Sequence, residues 1–170
     1  IESVPCLESH IMKGKAVLPM SIMAEWMIQG ALHDYPGMVF NGFRDLKVFK
    51  GILVDADEST ILQIRLGEYP QNGERTSVPV KLISTDSSGR KVIHAEAQVE
   101  LSHTVVKAVK PLSALDLDVD ERKMDELYAG NQLFHGTHFQ GILQIIRSGA
   151  QGLHAAVMTD ASPKNWMKKR

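Results

Sequence analysis

The run from Met20 to His33 constrains this chain more than any other stretch of it. Met20, Met23, Ala24, Met27 and Ala31 fall at i, i+3, i+4, i+7 and i+11, the spacing of one helix face. Trp26 and Ile28 widen that face, so the helix is expected to be buried over much of its surface. Pro19 stands just before it, where a missing N–H costs nothing, Ser21 is placed to cap, and Tyr35-Pro36-Gly37 closes it. Gly30 and Ala31 keep the helix surface low near its end, which lets strands approach closely.

After the helix the hydrophobic period changes to two. Met38 to Ile52 carries Val39, Phe43, Leu46, Val48 and Phe49, broken by Gly42 and Gly51; Thr60 to Leu66 alternates Ile61, Gln63 and Arg65 against Leu62, Ile64 and Leu66; Val78 to Thr85 follows. The clearest strand is Lys91 to Leu101, with Ile93, Ala95, Ala97, Val99 and Leu101 on one face and His94, Glu96, Gln98 and Glu100 on the other. Turn signals separate these runs at Asp55-Ala56-Asp57-Glu58, Gln71-Asn72-Gly73-Glu74 and Ser87-Ser88-Gly89-Arg90. One helix followed by an antiparallel meander gives an α+β class, with the helix packed on a sheet.

Residues 102–117 lose the pattern and read as a connector, so residues 1–101 form a first unit and residues 118–170 begin a second. Asp118 and Glu121 have capping-box spacing, which predicts a helix running through Leu127-Tyr128 to Gly130-Asn131. Gly141 to Arg147 and Gly152 to Thr159 read as two further strands joined by Ser148-Gly149-Ala150-Gln151. The chain of 170 residues carries 19 Lys+Arg and 20 Asp+Glu, a net charge of 19 − 20 = −1. That balance offers no positive field for nucleic acid or an anionic membrane, and no apolar run approaches the roughly 20 residues of a membrane span. Cys6 is the single cysteine and there is no secretory signal, so a reducing, cytoplasmic setting is expected.

His10 lies in the string His10-Ile11-Met12-Lys13-Gly14-Lys15-Ala16-Val17-Leu18-Pro19, ahead of the buried helix. A loop histidine titrates near working pH and can act as a general base, while a helix N-terminus offers N–H groups that polarise a carbonyl. The same string also reads as an ordinary histidine in a turn punctuated by glycine and proline. Other chemistry is poorly supported. His135 and His138 are three apart without further ligands at metal spacing, so no metal is expected. Asp116, Asp118 and Asp120 imitate the start of a calcium loop but lack its Gly and its final Glu. Cys6 has no neighbour that would activate it.

The spacing His-x-x-x-Gly-x-x-x-x-Pro, present as His10, Gly14 and Pro19, resembles the motif of dehydratase domains in polyketide synthases and related multi-enzyme fatty acid synthases. Leu133-Phe134-His135-Gly136-Thr137-His138-Phe139-Gln140-Gly141-Ile142 is similar to the Tyr-Gly-Pro-x-Phe-x-Gly segment of the same domains. Ser162-Pro163-Lys164-Asn165-Trp166 and Leu18-Pro19-Met20 look like the polyunsaturated-fatty-acid-synthase and glycolipid-synthase members. The resemblance implies a double hot-dog, two tandem units each with a long helix wrapped by an antiparallel sheet. It also implies a lyase that dehydrates a β-hydroxyacyl thioester to an enoyl thioester.

By that resemblance His10 is the base, and Gly14, Pro19, His135, Gly136 and Phe139 are substrate-contact positions, with Pro19 setting the turn into the helix. No cofactor is implied beyond the phosphopantetheine of an acyl carrier protein. That carrier is the expected partner, with Lys13 and Lys15 as candidate contacts, alongside neighbouring megasynthase domains and a second copy of the chain. His135 and Thr137 stand where the family has Tyr and Pro. The family's aspartate, set in Asp-x-x-x-Gln or Asp-x-x-x-His, has no match after Gln140, and Asp160 does not fit. The second unit is therefore expected to be incomplete, with the partner aspartate beyond Arg170 and this chain inactive by itself. A non-catalytic acyl-binding or structural module and a hot-dog thioesterase are the alternatives.

Overall fold

The computed structural model describes residues 4–54, 59–68, 75–105, 116–130 and 133–159. The turn signals at Asp55–Glu58 and Gln71–Glu74, most of the connector, Asp160 and residues 161–170 lie outside them. In chain order the elements are β1 (Ile11–Met12), β2 (Lys15–Val17), α1 (Met20–Asp34), β3 (Val39–Val48), β4 (Leu53–Val54), β5 (Gln63–Leu66), β6 (Arg75–Thr85), β7 (Lys91–Ser102), β8 (Asp118–Val119), α2 (Met124–Ala129), β9 (Ile142–Gly149) and β10 (Gly152–Val157). Short 3-10 turns at Pro5–Ser9 and Thr137–Phe139 complete the set. Two compact units result: Leu18–Ala108, and Ile1–Val17 together with Val109–Arg170.

In the unit Leu18–Ala108, α1 lies on an antiparallel sheet of order β3-β7-β6-β5. The helix spans the expected residues, and Met23, Met27 and Ala31, four apart, are buried along with Ile22. Met23 and Met27 of the methionine stripe are thus core, with 2% and no exposure, while Met20 at the helix start is exposed. The low surface at Gly30 serves the packing, since a Cβ there would lie 2.5 Å from Cγ2 of Ile64 in β5. Ser21 does not cap. Pro19 itself is the cap residue, without a side-chain cap bond, and its carbonyl accepts from Ile22 and Met23 N–H.

β7 follows the expected alternation from Ala95 to Leu101, where Ala95, Ala97, Val99 and Leu101 are buried. Towards its start the phase inverts, with Ile93 40% exposed and His94 buried. The cause is a bulge. Leu82 pairs with Ala95 but Ile83 pairs with Ile93, so His94 is the extra residue and every side chain before it changes face. His94 is fully satisfied inside: Nδ1 donates to Lys50 O at 3.1 Å and Nε2 accepts from Ser84 Oγ at 2.8 Å. The β6–β7 turn is held by Asp86, whose Oδ1 accepts from Ser88 and Arg90 N–H, each at 2.9 Å.

In the other unit, β1 and β2 form a hairpin and β8, β9 and β10 a three-stranded antiparallel sheet of order β10-β9-β8. Leu127 of α2 and Ile145 of β9 supply its buried apolar side chains, with Cys6, Leu7 and Ala16. Asp118 does not cap a helix. It sits in β8, and α2 starts later, after Lys123, because the Asp120 carboxylate is engaged by the Arg122 guanidinium, not by helix N–H groups. Residues 1–17, expected with the first unit, join residues 109–170 because the Ser9 carbonyl accepts from Gly136 N–H at 2.8 Å.

Met27→Ala is expected to lower unfolding free energy by about 2–5 kcal/mol, the cost of a cavity in a packed core. Met20→Ala, at a 56% exposed position, should change it by no more than about 0.5 kcal/mol. Denaturant midpoints at constant slope would test both.

Candidate active site

His10 follows the Pro5–Ser9 turn directly, and the chain then folds back on itself. Met12 pairs with Lys15, leaving Lys13 and Gly14 as a two-residue loop with φ of 51° and 76°. Two successive positive φ values define a type I′ turn, whose twist matches that of the flanking strands and whose second position suits glycine. Gly14 therefore has a structural reason to be glycine, and a Cβ there would meet nothing within 4 Å. The hairpin brings Val17 opposite His10. Val17 N–H donates to His10 O at 3.1 Å, and His10 Nδ1 lies 2.8 Å from Val17 O. A carbonyl oxygen only accepts, so Nδ1 carries a proton, and in the neutral ring Nε2 is the nitrogen with the lone pair.

The second segment is clamped to the first by main chain. Beyond the Gly136–Ser9 hydrogen bond, His138 N–H donates to Ser9 Oγ at 3.3 Å. A Cβ on Gly136 would lie 2.9 Å from Ser9 Cα, closer than packing allows, so this crossing requires glycine. Phe139 N–H donates to Gly136 O at 2.9 Å, and Gln140 Nε2 to His135 O at 3.1 Å. Further along, Met158 N–H donates to Gly141 O at 2.7 Å and Ile142 N–H to the Tyr128 hydroxyl at 3.3 Å.

These bonds gather four rings. His10 meets Phe134 edge-on at 5.0 Å between centroids and Phe139 at 5.8 Å, and its centroid lies 5.5 Å from that of His135. His135 stacks on Phe134 at 4.3 Å. Burial, and then the neighbouring His10, hold the His135 imidazole below its ordinary pKa, which favours its neutral form. The Cys6 thiol is pushed up by burial and stays protonated. Among the described residues no three His, Cys, Asp or Glu side chains group as metal ligands. The Asp120 carboxyl, hydrogen-bonded by Arg122 and Ser148, is held well below the usual carboxylate range.

Of the residues singled out in sequence, His10, His135, Gly136 and Phe139 come together, Gly14 forms the hairpin tip in the same unit, and Pro19 opens α1 in the other. Ser9, Val17 and Phe134 are site residues that the sequence reading does not single out. A signal for Val17 exists: Lys13-Gly14 between His10-Ile11-Met12 and Lys15-Ala16-Val17 marks a two-residue hairpin loop. An unshared imidazole nitrogen beside aromatic rings and a second, neutral imidazole is equipped to take a proton from a carbon acid.

The architecture is that of the dehydratase domains of polyketide synthases, a helix with antiparallel sheets in the hot-dog manner. The dehydratase domain of the polyketide synthase PpsC from Mycobacterium tuberculosis matches with a TM-score of 0.63 and 23% identity, over 89% of this chain and 52% of that one. The dehydratase domain of the CurF module of curacin polyketide synthase matches with a TM-score of 0.64 and 16% identity, over 91% and 56%. This chain thus spans about half of those domains. In sequence it is similar to a polyunsaturated fatty acid synthase polypeptide of a Thraustochytrium species, 30% identical over 145 residues, which cover 82% of this chain and 5% of that protein. No family model matches the chain.

As pH falls, the unfolded chain binds a proton at His135 near its ordinary pKa of about 6.5, before the folded chain does. This histidine's contribution to stability is therefore present above that pH and is lost as pH drops towards the lower folded value. Ring-proton NMR should find His135 titrating below the ordinary value, and in His10→Asn part of the depression, the smaller part, should disappear.

Proposed function

We propose that this chain carries the base of a hydro-lyase that removes water from β-hydroxyacyl thioesters, in polyketide or fatty acid synthesis. The observation that carries the reading is the His10 imidazole, fixed through Nδ1 with Nε2 unshared, and ringed by Phe134, His135 and Phe139 of the second motif. The sequence relative and the solved domains, named as a fatty acid synthase and as polyketide dehydratases, supply the reaction class.

In this reading His10 Nε2 takes the α-proton of the thioester. Desolvation by the aromatic rings keeps that lone pair from being spent on water. The electron pair moves onto the carbonyl oxygen, then returns as the α–β double bond forms and the β C–O bond breaks, and the leaving hydroxyl takes the proton back from His10 Nε2 to depart as water. Val17 O holds the transient imidazolium through the same Nδ1–H bond. The thioester arrives on the phosphopantetheine arm of an acyl carrier protein, with no resident cofactor. Neighbouring synthase domains, a second copy of the chain and a cytoplasmic setting belong to the same proposal. Among the described residues, no helix is long and apolar enough to cross a membrane.

In the whole polypeptide that carries this chain, His10→Ala should lower dehydration by about 100-fold or more, the usual contribution of a general base. Mass spectrometry of β-hydroxyacyl carrier substrates, watching for loss of water, measures it; turnover retained in a folded variant removes the mechanism. Lys13 and Lys15 flank the exposed hairpin tip. Reversing both charges should slow turnover of carrier-bound substrate more than that of a free pantetheine thioester, since electrostatic complementarity acts on encounter with an acidic carrier.

A further inference from the structure

A base alone leaves half of an α-proton removal unassisted, because the electron pair released must collect on the thioester oxygen. Among the described residues whose rings meet His10, His135 is the one whose side chain carries a polar hydrogen. His135 faces the His10 ring at 5.5 Å between centroids. The peptide bond that follows it is held at both of its polar atoms, by Gln140 Nε2 on the His135 carbonyl and by the Gly136 N–H on the Ser9 carbonyl. The His135 ring is seated on Phe134. Among the described residues its ring nitrogens make no hydrogen bond, although the side chain is only partly exposed.

Resting on the dehydration reading, we propose that His135 is a second catalytic residue: as a neutral imidazole it donates its ring N–H to the thioester oxygen and stabilises the enolate that forms as His10 takes the α-proton. Base and donor contact atoms of one small fragment, the α-carbon and the carbonyl oxygen. Two groups each about 3 Å from those atoms place their rings at the kind of separation seen here. The α C–H bond breaks, its proton goes to His10 Nε2 and its electrons to the oxygen; when the C=O bond re-forms, the β C–O bond breaks, and the leaving hydroxyl takes the proton from His10 Nε2 and departs as water, which returns His10 to its neutral form. Among the described residues, the rings that face His135 are His10, Phe134 and Phe139, and His10 is the titratable one of the three. Burial and that neighbour both disfavour a charged His135. A neutral donor suits an oxygen whose charge is transient and does not compete with His10 for the α-proton.

The test compares His135→Phe, which keeps a ring on Phe134 but has no donor, with His135→Gln, which keeps an amide donor. With a β-hydroxyacyl pantetheine thioester and the whole polypeptide, His135→Phe should lower kcat by about 100-fold or more, as loss of an oxyanion donor does. KM, and the Kd of a saturated acyl thioester, should stay within about threefold, and His135→Gln should recover at least tenfold of the loss. A kcat for His135→Phe within threefold of the unsubstituted protein overturns the role, as does an equal loss in both variants accompanied by weaker binding of the saturated thioester, which marks a packing residue. Absence of water loss from the unsubstituted protein overturns the dehydration reading, and this role with it.

Discussion

The hydrogen bond from Gly136 N–H to the Ser9 carbonyl, 2.8 Å long, is the contact on which the site depends. It joins main chain to main chain one residue before His10 and one after His135, so both imidazoles inherit their positions from it. The contact tolerates no side chain, since a Cβ on Gly136 would press on Ser9 Cα. A backbone clamp of this kind fixes the two ring-bearing residues without drawing on either ring, which leaves the imidazole nitrogens for other work.

Two features then separate the histidines chemically although they are alike and adjacent. His10 has its tautomer set by Val17 O across a tight hairpin. His135 has its charge state set by its surroundings, an aromatic face and the other imidazole. One ring is thereby oriented and the other kept neutral. Pairs of titratable groups whose environments push them apart are how a small site obtains two roles from one kind of side chain.

How much of this the sequence shows depends on the range of the interaction. The helix is legible because Met23, Met27 and Ala31 repeat at the helical period and bury together. The alternation of β7 is legible from Ala95 to Leu101 and fails at His94, where one inserted residue shifts the phase and leaves no mark in composition. β1 and β2 are two and three residues long, too short for any period to register. Asp118 and Glu121 have the spacing of a cap, yet Asp120 finds a guanidinium close by and the helix begins later. The site lies further out of reach: nothing in local pattern joins Ser9 to Gly136, and only the resemblance of two separate motifs to one family pairs them.

The division of the chain bears on its synthesis. Residues 1–17 belong with residues 109–170, while Leu18–Ala108 forms a unit of its own. A ribosome adding about 5–20 residues per second delivers Gly136 roughly 6–25 seconds after Ser9. For that interval the Ser9 carbonyl lacks its Gly136 partner, while the residues of the helix and four-stranded sheet are already made. Ser9 and His10 therefore wait for Gly136, and the site around the His10 imidazole is completed only after Leu18–Ala108 has been made.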